Sequence, residues 1–354
     1  MERVSVIVTA AGSIIGEGIM KCLKLANMKR SNRIAYEITA ADMSPLAAGV
    51  YRGNFGKIIP PPDAQNYVDA LIDLSKMRSA QAIFIGSDEE LPVLTKEAQR
   101  IEEESGARVI TCPAEVYGVC KDKWKTYEFL KSENLSCPES ALPNEKDEFI
   151  RRVGFPVIIK PREGHGSLHV NLAHDKEELR SFISAIEKRN QRPMLQEFLD
   201  AEDSEFTTGV VSDRSGISTL SSISMRRSLK FGQTYKAYVD EFPEVRRTAE
   251  IVARKLKAVG PLNLQSRIVN GASYIFEINP RFSASCPIRA MAGVNEPDIT
   301  FRNQILGEDI RVDEYKSLLC LRYWNELYVS NKTHRRLSNS GKITRTEAIT
   351  PDYF

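Results

Sequence analysis

The residues best suited to catalysis lie in one stretch, Asn263–Arg281, which predicts two short strands joined by a turn at Asn270-Gly271. Alternate side chains of a strand share a face, so Glu277 and Asn279 of the second strand point the same way. The guanidinium of Arg281 follows two residues later. Oxygen ligands beside a permanent cation suit a hard metal ion that carries phosphates. The opposite face of the strand is expected to enter a core with Tyr274, Phe276 and Ile278.

The register of this hairpin decides whether Gln265 joins the polar face. A two-residue turn would place Gln265 opposite Phe276, on the core face. A three-residue loop with a bulge, Asn270–Ala272, places Gln265 opposite Glu277 instead. We expect the second register, because only that register collects Gln265, Glu277 and Asn279 on one face. A surface hairpin with one polar side is the alternative.

The composition is ordinary for a globular protein, with 354 residues, 42% hydrophobic, 27% charged and a formal charge of +2. This length predicts two or three domains. The basic residues are spread along the chain, which argues against a nucleic-acid groove. Six cysteines and four histidines lack the spacing of a zinc site. No secretory leader precedes the first predicted strand, and no apolar run approaches the roughly 20 residues that span a bilayer. We therefore expect a cytoplasmic protein without membrane contact.

Strands and helices alternate through the first ~110 residues, which predicts a doubly wound parallel sheet. Gly12, Gly16 and Gly18 follow the first strand and would let an anion approach a helix N-terminus, although the spacing is not GxGxxG. Asp42 ends the second strand, where it either meets a ribose or caps the next turn. The predicted strands are Val4–Val8, Ala35–Ala41, Ala82–Ile85 and Val109–Thr111.

Three polar residues, Ser87, Asp88 and Glu89, follow the third of these strands. Ligands of open α/β sheets bind outside the carboxyl ends of the strands, so these residues are candidates for substrate contacts. The same residues are equally suited to capping the helix that follows.

A buried strand, FPVIIKP, ends with Lys160 and leads into a loop that contains Gly164, Gly166 and Ser167. Such a loop can lay backbone N–H groups on phosphate oxygens, and a lysine at its mouth favours that interpretation over an ordinary hairpin turn. Farther along, MLQEFL places Glu197 in an apolar strand, which predicts either a hinge for an adenine or an edge strand.

The stretch Met225–Tyr238 is basic and lacks a clear period. We expect a loop that closes over an anionic substrate, with Arg226 among its contacts, or else a solvated loop. The chain after Asn331 is polar and is expected to be loosely held.

Together these residues resemble the ATP-grasp superfamily, most of all its branch similar to the carbamoyl-phosphate-synthetase large subunit. The resemblance covers about residues 114–306. Its most specific part, a metal-binding Gln or acid and then Glu-x-Asn-Pro-Arg, falls on Gln265 and on Glu277–Arg281. It implies an α/β and α+β fold, in which a doubly wound pre-ATP-grasp domain precedes a two-lobed ATP-grasp domain. The expected divisions are residues 1–112 for the first domain, 113–195 for a lid and linker lobe, 196–312 for a C-lobe with the metal site, and 313–354 for C-terminal strands and a tail.

The resemblance also implies how a nucleotide would be held. The ATP phosphates would meet two lysines under the glycine loop, the adenine would lie at a hinge, and the ribose would meet an acid. In this chain the matching residues are Lys123, Lys160, Gly164, Gly166, Ser167, Glu197, Leu199 and Glu205.

For the metal, the resemblance implies that Glu277 bridges two Mg²⁺ ions, for which Mn²⁺ can substitute, with help from Gln265 and Asn279. Arg281 would stabilise the transferring phosphoryl group and the acyl phosphate.

Three features depart from the family pattern. Leu168-His169 stands where many members have a further glycine in the loop. Phe282–Ser285 supplies no second arginine after Arg281, which disfavours bicarbonate as the phosphate acceptor. The chain holds one ATP-grasp unit, whereas carbamoyl-phosphate synthetase has two.

The implied reaction is attack of a substrate carboxylate on the γ-phosphate of ATP, followed by capture of the acyl phosphate by an amine. The acceptor would lie between Ser87–Glu90, Arg226 and Arg281. We therefore expect an ATP-dependent carboxylate–amine ligase acting on small molecules. The alternatives are a related kinase or carboxylase, and a nucleotide-binding module without turnover. The family also allows a homodimer through the N-terminal domain.

Overall fold

The first strand, β1 (Glu2–Val8), is buried on both faces, since Val6, Ile7 and Val8 are all inaccessible to solvent. Such burial is typical of a central strand in a parallel sheet. The computed structural model, which describes residues 2–29, 32–164, 166, 168–201, 205–344 and 348–351, confirms this arrangement. The elements that follow are α1 (Ile14–Met28), β2 (Ile34–Asp42), β3 (Phe55–Ile58), α2 (Tyr67–Arg78), β4 (Ala82–Phe84), α3 (Leu91–Ser105) and β5 (Arg108–Ile110).

These strands form a parallel sheet in the order β3-β2-β1-β4-β5, so the doubly wound N-terminal domain is confirmed. Strand β3 was not predicted, because its sequence FGKI is short and contains a glycine. The order of the strands reverses at β1, between β2 and β4, and ligands of such sheets bind at the carboxyl ends near that point.

A small antiparallel sheet comes next, in the order β6-β9-β7-β8. Phe149, Val157, Ile159 and Leu195 fill its core. Its elements and the helices before and within it are α4 (Ala114–Cys120), α5 (Lys123–Ser132), β6 (Ser140–Ala141), α6 (Lys146–Val153), β7 (Val157–Pro161), β8 (Asn171–Ala173), α7 (Lys176–Glu187) and β9 (Pro193–Glu197).

A larger antiparallel sheet, hereafter the main sheet, has the order β14-β13-β10-β11-β12-β15. Helix α8 packs on one face of this sheet, and α9 covers the other face. The elements are β10 (Glu205–Ser212), β11 (Thr219–Lys230), β12 (Gln233–Val239), α8 (Pro243–Lys255), β13 (Gly260–Val269), β14 (Ala272–Asn279), α9 (Cys286–Ala292), α10 (Glu296–Gln304) and β15 (Leu318–Leu321).

The basic stretch Met225–Tyr238 is not a loop, so that prediction is wrong. It forms most of the β11–β12 hairpin, whose tip is Phe231-Gly232, both with positive φ. The prediction failed because the apolar positions of this stretch are too few and too irregular to show a period of two.

The end of the chain is also better ordered than expected. Ser330 caps helix α11 (Asn331–Ser340), and β16 (Lys342–Thr344) pairs antiparallel with β3 at the edge of the N-terminal sheet. Leu337 and Ile343 are buried in the core of that domain. The polar composition of this segment gives no sign that it pairs with β3, a strand far away in the sequence.

The N-terminal domain packs directly on the main sheet's helices. Side chains of α1, α9 and α10 share one core, which includes Cys286 and Phe301. The Tyr36 hydroxyl donates to Asp298 Oδ1 at 2.7 Å across this contact. Among the described residues, the helices are too short or too polar to cross a bilayer.

A buried ion pair joins α9 to α10 and packs against β10 of the main sheet. Arg289 Nε lies 2.6 Å from Glu296 Oε1, and both side chains are almost inaccessible to solvent. Gly209 of β10 makes room for them, because a Cβ there would overlap the Glu296 carboxylate. A buried carboxylate that loses its partner is costly, so the absence of a side chain at this position is a structural requirement.

We expect Gly209→Ala to lower the free energy of unfolding by about 2–3 kcal/mol, because the methyl group must displace a paired, buried charge. Gly118→Ala in α4 is the matched control. A Cβ there meets no atom within 4 Å, and alanine should raise the free energy of unfolding by about 0.5–1 kcal/mol. Urea unfolding of both variants tests this; equal stability of the two would contradict it.

Candidate functional site

A cleft of about 210 Å³ lies between the small sheet and the main sheet. Its walls carry almost all of the residues expected to hold a nucleotide. Ser167 is the exception, since it lies outside the described residues. The expected residues that line the cleft are Lys123, Lys160, Gly164, Gly166, Glu197, Leu199, Glu205, Gln265 and Glu277.

The β13–β14 hairpin has the predicted register but not the predicted loop. Asn270 and Gly271 both have positive φ and form a two-residue turn, so Val269 pairs with Ala272. The register shifts farther along, where Phe276 is an extra residue in β14. Beyond this bulge Gln265 lies opposite Glu277, as expected.

The bulge also changes which side chains enter the core. Ile275 and Ile278 are buried, whereas Phe276 and Glu277 both line the cleft. Two successive residues at a bulge can point to the same side, which regular alternation forbids. The prediction of a core face was therefore right for Ile278 and wrong for Phe276 and the half-buried Tyr274.

Gln265, Glu277 and Asn279 give the end of this hairpin three oxygen-bearing side chains. Asn279 Nδ2 donates to Glu277 Oε1 at 3.0 Å, and Arg281 donates to Asn279 Oδ1 at 3.2 Å. In the described part of the chain, no group of three or more His, Cys, Asp or Glu side chains could hold a metal by itself. One carboxylate with amide oxygens fits Mg²⁺ that arrives with phosphates, since Mg²⁺ often uses only one or two protein carboxylates.

Lys160 ends β7 in a buried position, where its ammonium donates to Gln196 Oε1 at 2.8 Å. Burial, and then the nearby charge of Lys123, lower the pKa of Lys160 to about 7, while Glu277 opposes this shift. A lysine in this condition gains a proton when an anion arrives beside it.

Lys123 is the first residue of α5, and its Nζ donates to the Gly164 carbonyl at 2.7 Å. The residue before it, Asp122, caps the helix by accepting from the Trp124 N–H. Asp122 is buried and also pairs with Arg162 at 2.5 Å. Together these contacts fix the lysine to the end of β7 and to the loop that follows it. Sequence reasoning missed Asp122, although an aspartate directly before a helix is an N-cap signal.

The expected adenine hinge, Glu197 to Leu199, lines one wall of the cleft. The Glu197 carboxylate accepts from the Glu139 N–H at 3.0 Å, so it supports the backbone of the small sheet. The Leu199 carbonyl accepts from Arg267 at 2.9 Å. Within the described residues the Leu199 N–H has no acceptor, which leaves a donor for a ligand.

Glu205, the expected ribose contact, lies between two guanidinium groups. It accepts from Arg227 at 2.9 Å and from Arg267 at 3.3 Å. Arg227 also donates to Gln265 Oε1 at 2.8 Å. One carboxylate is thus shared by two arginines beside a cleft that Glu163, Glu197 and Glu277 also line.

Arg226, expected to contact the substrate, is not brought to this site. It lies on the opposite face of β11, where its guanidinium stacks 4.9 Å from the centre of the Tyr238 ring and lines a different cleft. Because successive residues of a strand face opposite ways, Arg227 points toward the nucleotide cleft instead. Arg227, and not the expected Arg226, is therefore the arginine of this strand that faces the nucleotide cleft.

A second cavity, of about 340 Å³, adjoins the first. Ser87, Asp88 and Glu89, which were candidates for substrate contacts from the sequence alone, line this cavity. Arg281 enters it from the other side, where it holds Asp88 with two bonds of 2.5 and 2.7 Å. Residues Gln265, Glu277 and Gly166 line both cavities.

Two buried contacts hold the loop at the end of β4. Glu90 accepts from the hydroxyls of Thr9 at 2.8 Å and Tyr67 at 2.6 Å. Burial raises the pKa of Glu90, and these hydrogen bonds partly offset that effect. Glu90 therefore supports the loop of Ser87–Glu89 from below.

The glycine-rich loop after β1 has a structural role. Asp42 accepts from the backbone of Gly12 at 2.8 Å and of Ser44 at 2.9 Å, so it caps the turn. A Cβ at Gly16 would overlap the Ala10 carbonyl. These contacts favour capping over the ribose alternative for Asp42, and close packing against the backbone explains Gly16.

Comparison with protein families agrees with this geometry. Residues 120–285 match the model described as "ATP-grasp domain", and residues 14–110 match "PylC-like, N-terminal domain". The chain carries an ATP-grasp domain. The residues that match the ATP-grasp model include the whole β13–β14 hairpin, Lys123 and Lys160.

Curated relatives of this ATP-grasp chain include carbamoyl phosphate synthase large chains. That of Helicobacter pylori is 24% identical over 220 residues, which cover 58% of this chain and 20% of the relative. That of Archaeoglobus fulgidus is 25% identical over 209 residues, which cover 54% of this chain and 19% of the relative. The chain spans about one fifth of the length of these relatives.

Solved structures show the same fold. The Staphylococcus aureus N5-carboxyaminoimidazole synthetase complexed with ADP has a TM-score of 0.69 at 15% identity, covering 91% of this chain and 83% of that one. The biotin carboxylase domain of Hydrogenobacter thermophilus 2-oxoglutarate carboxylase, solved with MgADP, ADP and bicarbonate, has a TM-score of 0.67 at 19% identity, covering 88% and 71%.

The low pKa of Lys160 has a measurable effect on stability. Above pH 7 the unfolded chain holds a proton that folded Lys160 lacks, so the free energy of unfolding rises with pH until the ordinary lysine pKa of 10.5. Relative to Lys160→Met, the wild type should gain about 1 kcal/mol per pH unit between pH 7 and 10. Urea unfolding across this range measures the gain. The exposed Lys176→Met is the control and should show no such slope; a flat difference for Lys160→Met would contradict the assignment.

Proposed function

We propose that the protein is an ATP-dependent ligase that activates a small-molecule carboxylate as an acyl phosphate and joins it to an amine, releasing ADP and phosphate. The observation that carries this proposal is the position of Glu277 and Gln265, which line both the nucleotide cleft and the second cavity. A γ-phosphate held at this shared wall is within reach of an acceptor in the second cavity.

In this proposal the adenine binds at Leu199, whose free N–H is a donor for a ring nitrogen, with Phe276 and Ile158 on the apolar walls. Glu205 faces the ribose. The phosphates extend toward Lys123, Lys160 and the loop that contains Gly164 and Gly166. Protonation of Lys160 then supplies a cation where the phosphate charge is greatest.

Glu277, Gln265 and Asn279 would hold Mg²⁺, which would neutralise the phosphate oxygens. Only one of these side chains is charged, so the phosphates themselves supply the remaining anionic ligands. Arg281 is oriented by its two bonds to Asp88, and it presents its guanidinium to the second cavity.

The chemistry requires positioning more than a reactive side chain. A carboxylate in the second cavity attacks the γ-phosphorus in line, and ADP leaves. Lys160 and Arg281 stabilise the charge that spreads over the phosphoryl oxygens. The amine then attacks the acyl carbon, loses a proton and expels phosphate. Both steps gain from holding the reactants in fixed orientation.

One observation favours a carboxylase as a second candidate. Arg227 lines the second cavity, so a second guanidinium is present there although Phe282–Ser285, directly after Arg281, contains no arginine. Bicarbonate therefore belongs in the substrate panel. The assays distinguish the classes: a ligase releases phosphate only when an amine is present, a carboxylase requires bicarbonate, and a kinase leaves a stable phosphorylated product.

Glu277→Ala should reduce ADP release by at least about 10³-fold, because the metal loses its only charged protein ligand. The measurement is ADP release from ATP and Mg²⁺ across a panel of carboxylates with amines or bicarbonate. The exposed Glu187→Ala, on α7, is the control and should match the wild type. If Glu277→Ala remained folded, as judged by thermal unfolding, and turned over normally, the metal assignment would be wrong.

Two adjacent arginines provide a sharper test of the site's orientation. Arg227→Met should lower kcat/KM for ATP by about 10²-fold, since it removes a cation bound to Glu205 and Gln265. Arg226→Met, on the opposite face of the same strand, should leave turnover unchanged. Steady-state kinetics of both variants measure this difference, and the reverse order of effects would place the acceptor on the other face of β11.

A further inference from the structure

The main sheet ends at β15, and within the described residues this strand has a neighbour on one side only, β12. Its sequence, LLCL, contains no charge, proline or glycine. Edge strands of natural proteins are usually guarded by such residues, since an unguarded edge offers unpaired N–H and C=O groups to another strand. The edge of β15 is therefore suited to pairing.

The sheet face beside this edge is also uncovered. Helix α8 packs against β10, β11, β13 and β14. On the same face, Tyr238 pairs with Leu319, and Lys236 pairs with Leu321. Leu319 is 51% exposed and Leu321 is 60% exposed, and Trp324 just beyond the strand is 86% exposed. An apolar patch of this kind marks an interaction surface.

We propose that β15 pairs antiparallel with β15 of a second copy of this chain, about a two-fold axis perpendicular to the sheet. Directly opposite residues of an antiparallel pair point to the same face. For the exposed leucines to become buried, each must lie opposite an exposed apolar residue of the partner. A register centred on Cys320 meets this condition at two positions, because Leu319 of each copy lies opposite Leu321 of the other.

The charges around β15 favour a second copy in this orientation. Asp240 accepts from Ser317 at 2.8 Å beside the start of the strand, whereas Lys236 flanks its end. Lys316 and Arg322 also flank the strand, so both ends carry a cation, and the carboxylate of Asp240 lies at the start. An antiparallel pair brings Asp240 of one copy toward Lys236 of the other, whereas a parallel pair would set like charges together.

The exposed side chains supply a large part of the area that a dimer needs. A standard interface buries about 800 Å² per partner. Beside the two leucines, this edge exposes 86% of Trp324, 71% of Tyr323 and 41% of Tyr238, and aromatic side chains contribute much of the area of protein interfaces. The two main sheets would become one continuous sheet in which β15 of each copy is paired on both sides and β14 forms the two outer edges.

Light scattering after size exclusion tests the proposal at protein concentrations up to about 50 μM, a range that detects micromolar affinity. The wild type should have the mass of a dimer. Leu321→Lys should be a monomer, since it places a charge on the paired edge. Ile217→Lys changes an equally exposed residue in the turn before β11 and should remain a dimer. A monomeric wild type, or a dimer that survives Leu321→Lys, would overturn the proposal.

The register has its own test. Of the six cysteines, all of them in the described part of the chain, only Cys320 is not buried. In the proposed pair the two Cys320 Cβ atoms lie about 4.5–5.5 Å apart, close to disulfide distance. Diamide, which accepts the two hydrogens, should yield a disulfide-linked dimer of the wild type but not of Cys320→Ser or Leu321→Lys. Absence of this product from a dimeric wild type would overturn the assigned register.

Discussion

The site depends on one extra residue in β14. The Asn270-Gly271 turn by itself would continue a regular pairing in which Glu277 opposes Leu264, a residue in the core. A carboxylate in that position would lack both water and a cation, at a cost of several kcal/mol. The bulge at Phe276 removes this conflict, because it restores the pairing of buried Leu264 with Ile278 and turns Glu277 toward Gln265. The same residue therefore satisfies the core and creates the shared wall of two cavities.

The charges around that wall are arranged for an anion. Glu205 is shared by Arg227 and Arg267, Arg281 is held by Asp88, and Lys160 is buried with a lowered pKa. Each of these groups is fixed by the protein before a ligand arrives, so little reorganisation is required on binding. The burial of Lys160 lowers the stability of the free protein, because the buried ammonium loses its contacts with water. Phosphate oxygens that approach Lys160 would replace those contacts. A local loss of stability in exchange for function is common at binding sites.

The sequence was most informative where side chains follow a simple period. The parallel sheet and the opposition of Gln265 and Glu277 could both be predicted, because a continuous apolar run or a regular alternation reports which sides of a strand are buried. The location of the bulge could not, since a bulge is a break in that alternation. Arg226 was preferred to Arg227 because β11 was interpreted as a loop. In a loop, unlike a strand, neighbouring side chains do not alternate between two faces. Strand β16 and the close packing at Gly209 depend on contacts between distant segments, which leave no local signal.

The most direct test of the account is the proton balance of nucleotide binding. A non-hydrolysable ATP analogue with Mg²⁺ can be titrated calorimetrically at pH 8 in two buffers that differ in ionisation enthalpy. Since the pKa of free Lys160 is about 7, the account predicts uptake of about one proton per bound nucleotide by the wild type and none by Lys160→Met. Absence of binding, or binding with the same proton balance in both proteins, would contradict a site in which nucleotide phosphates lie against Lys160.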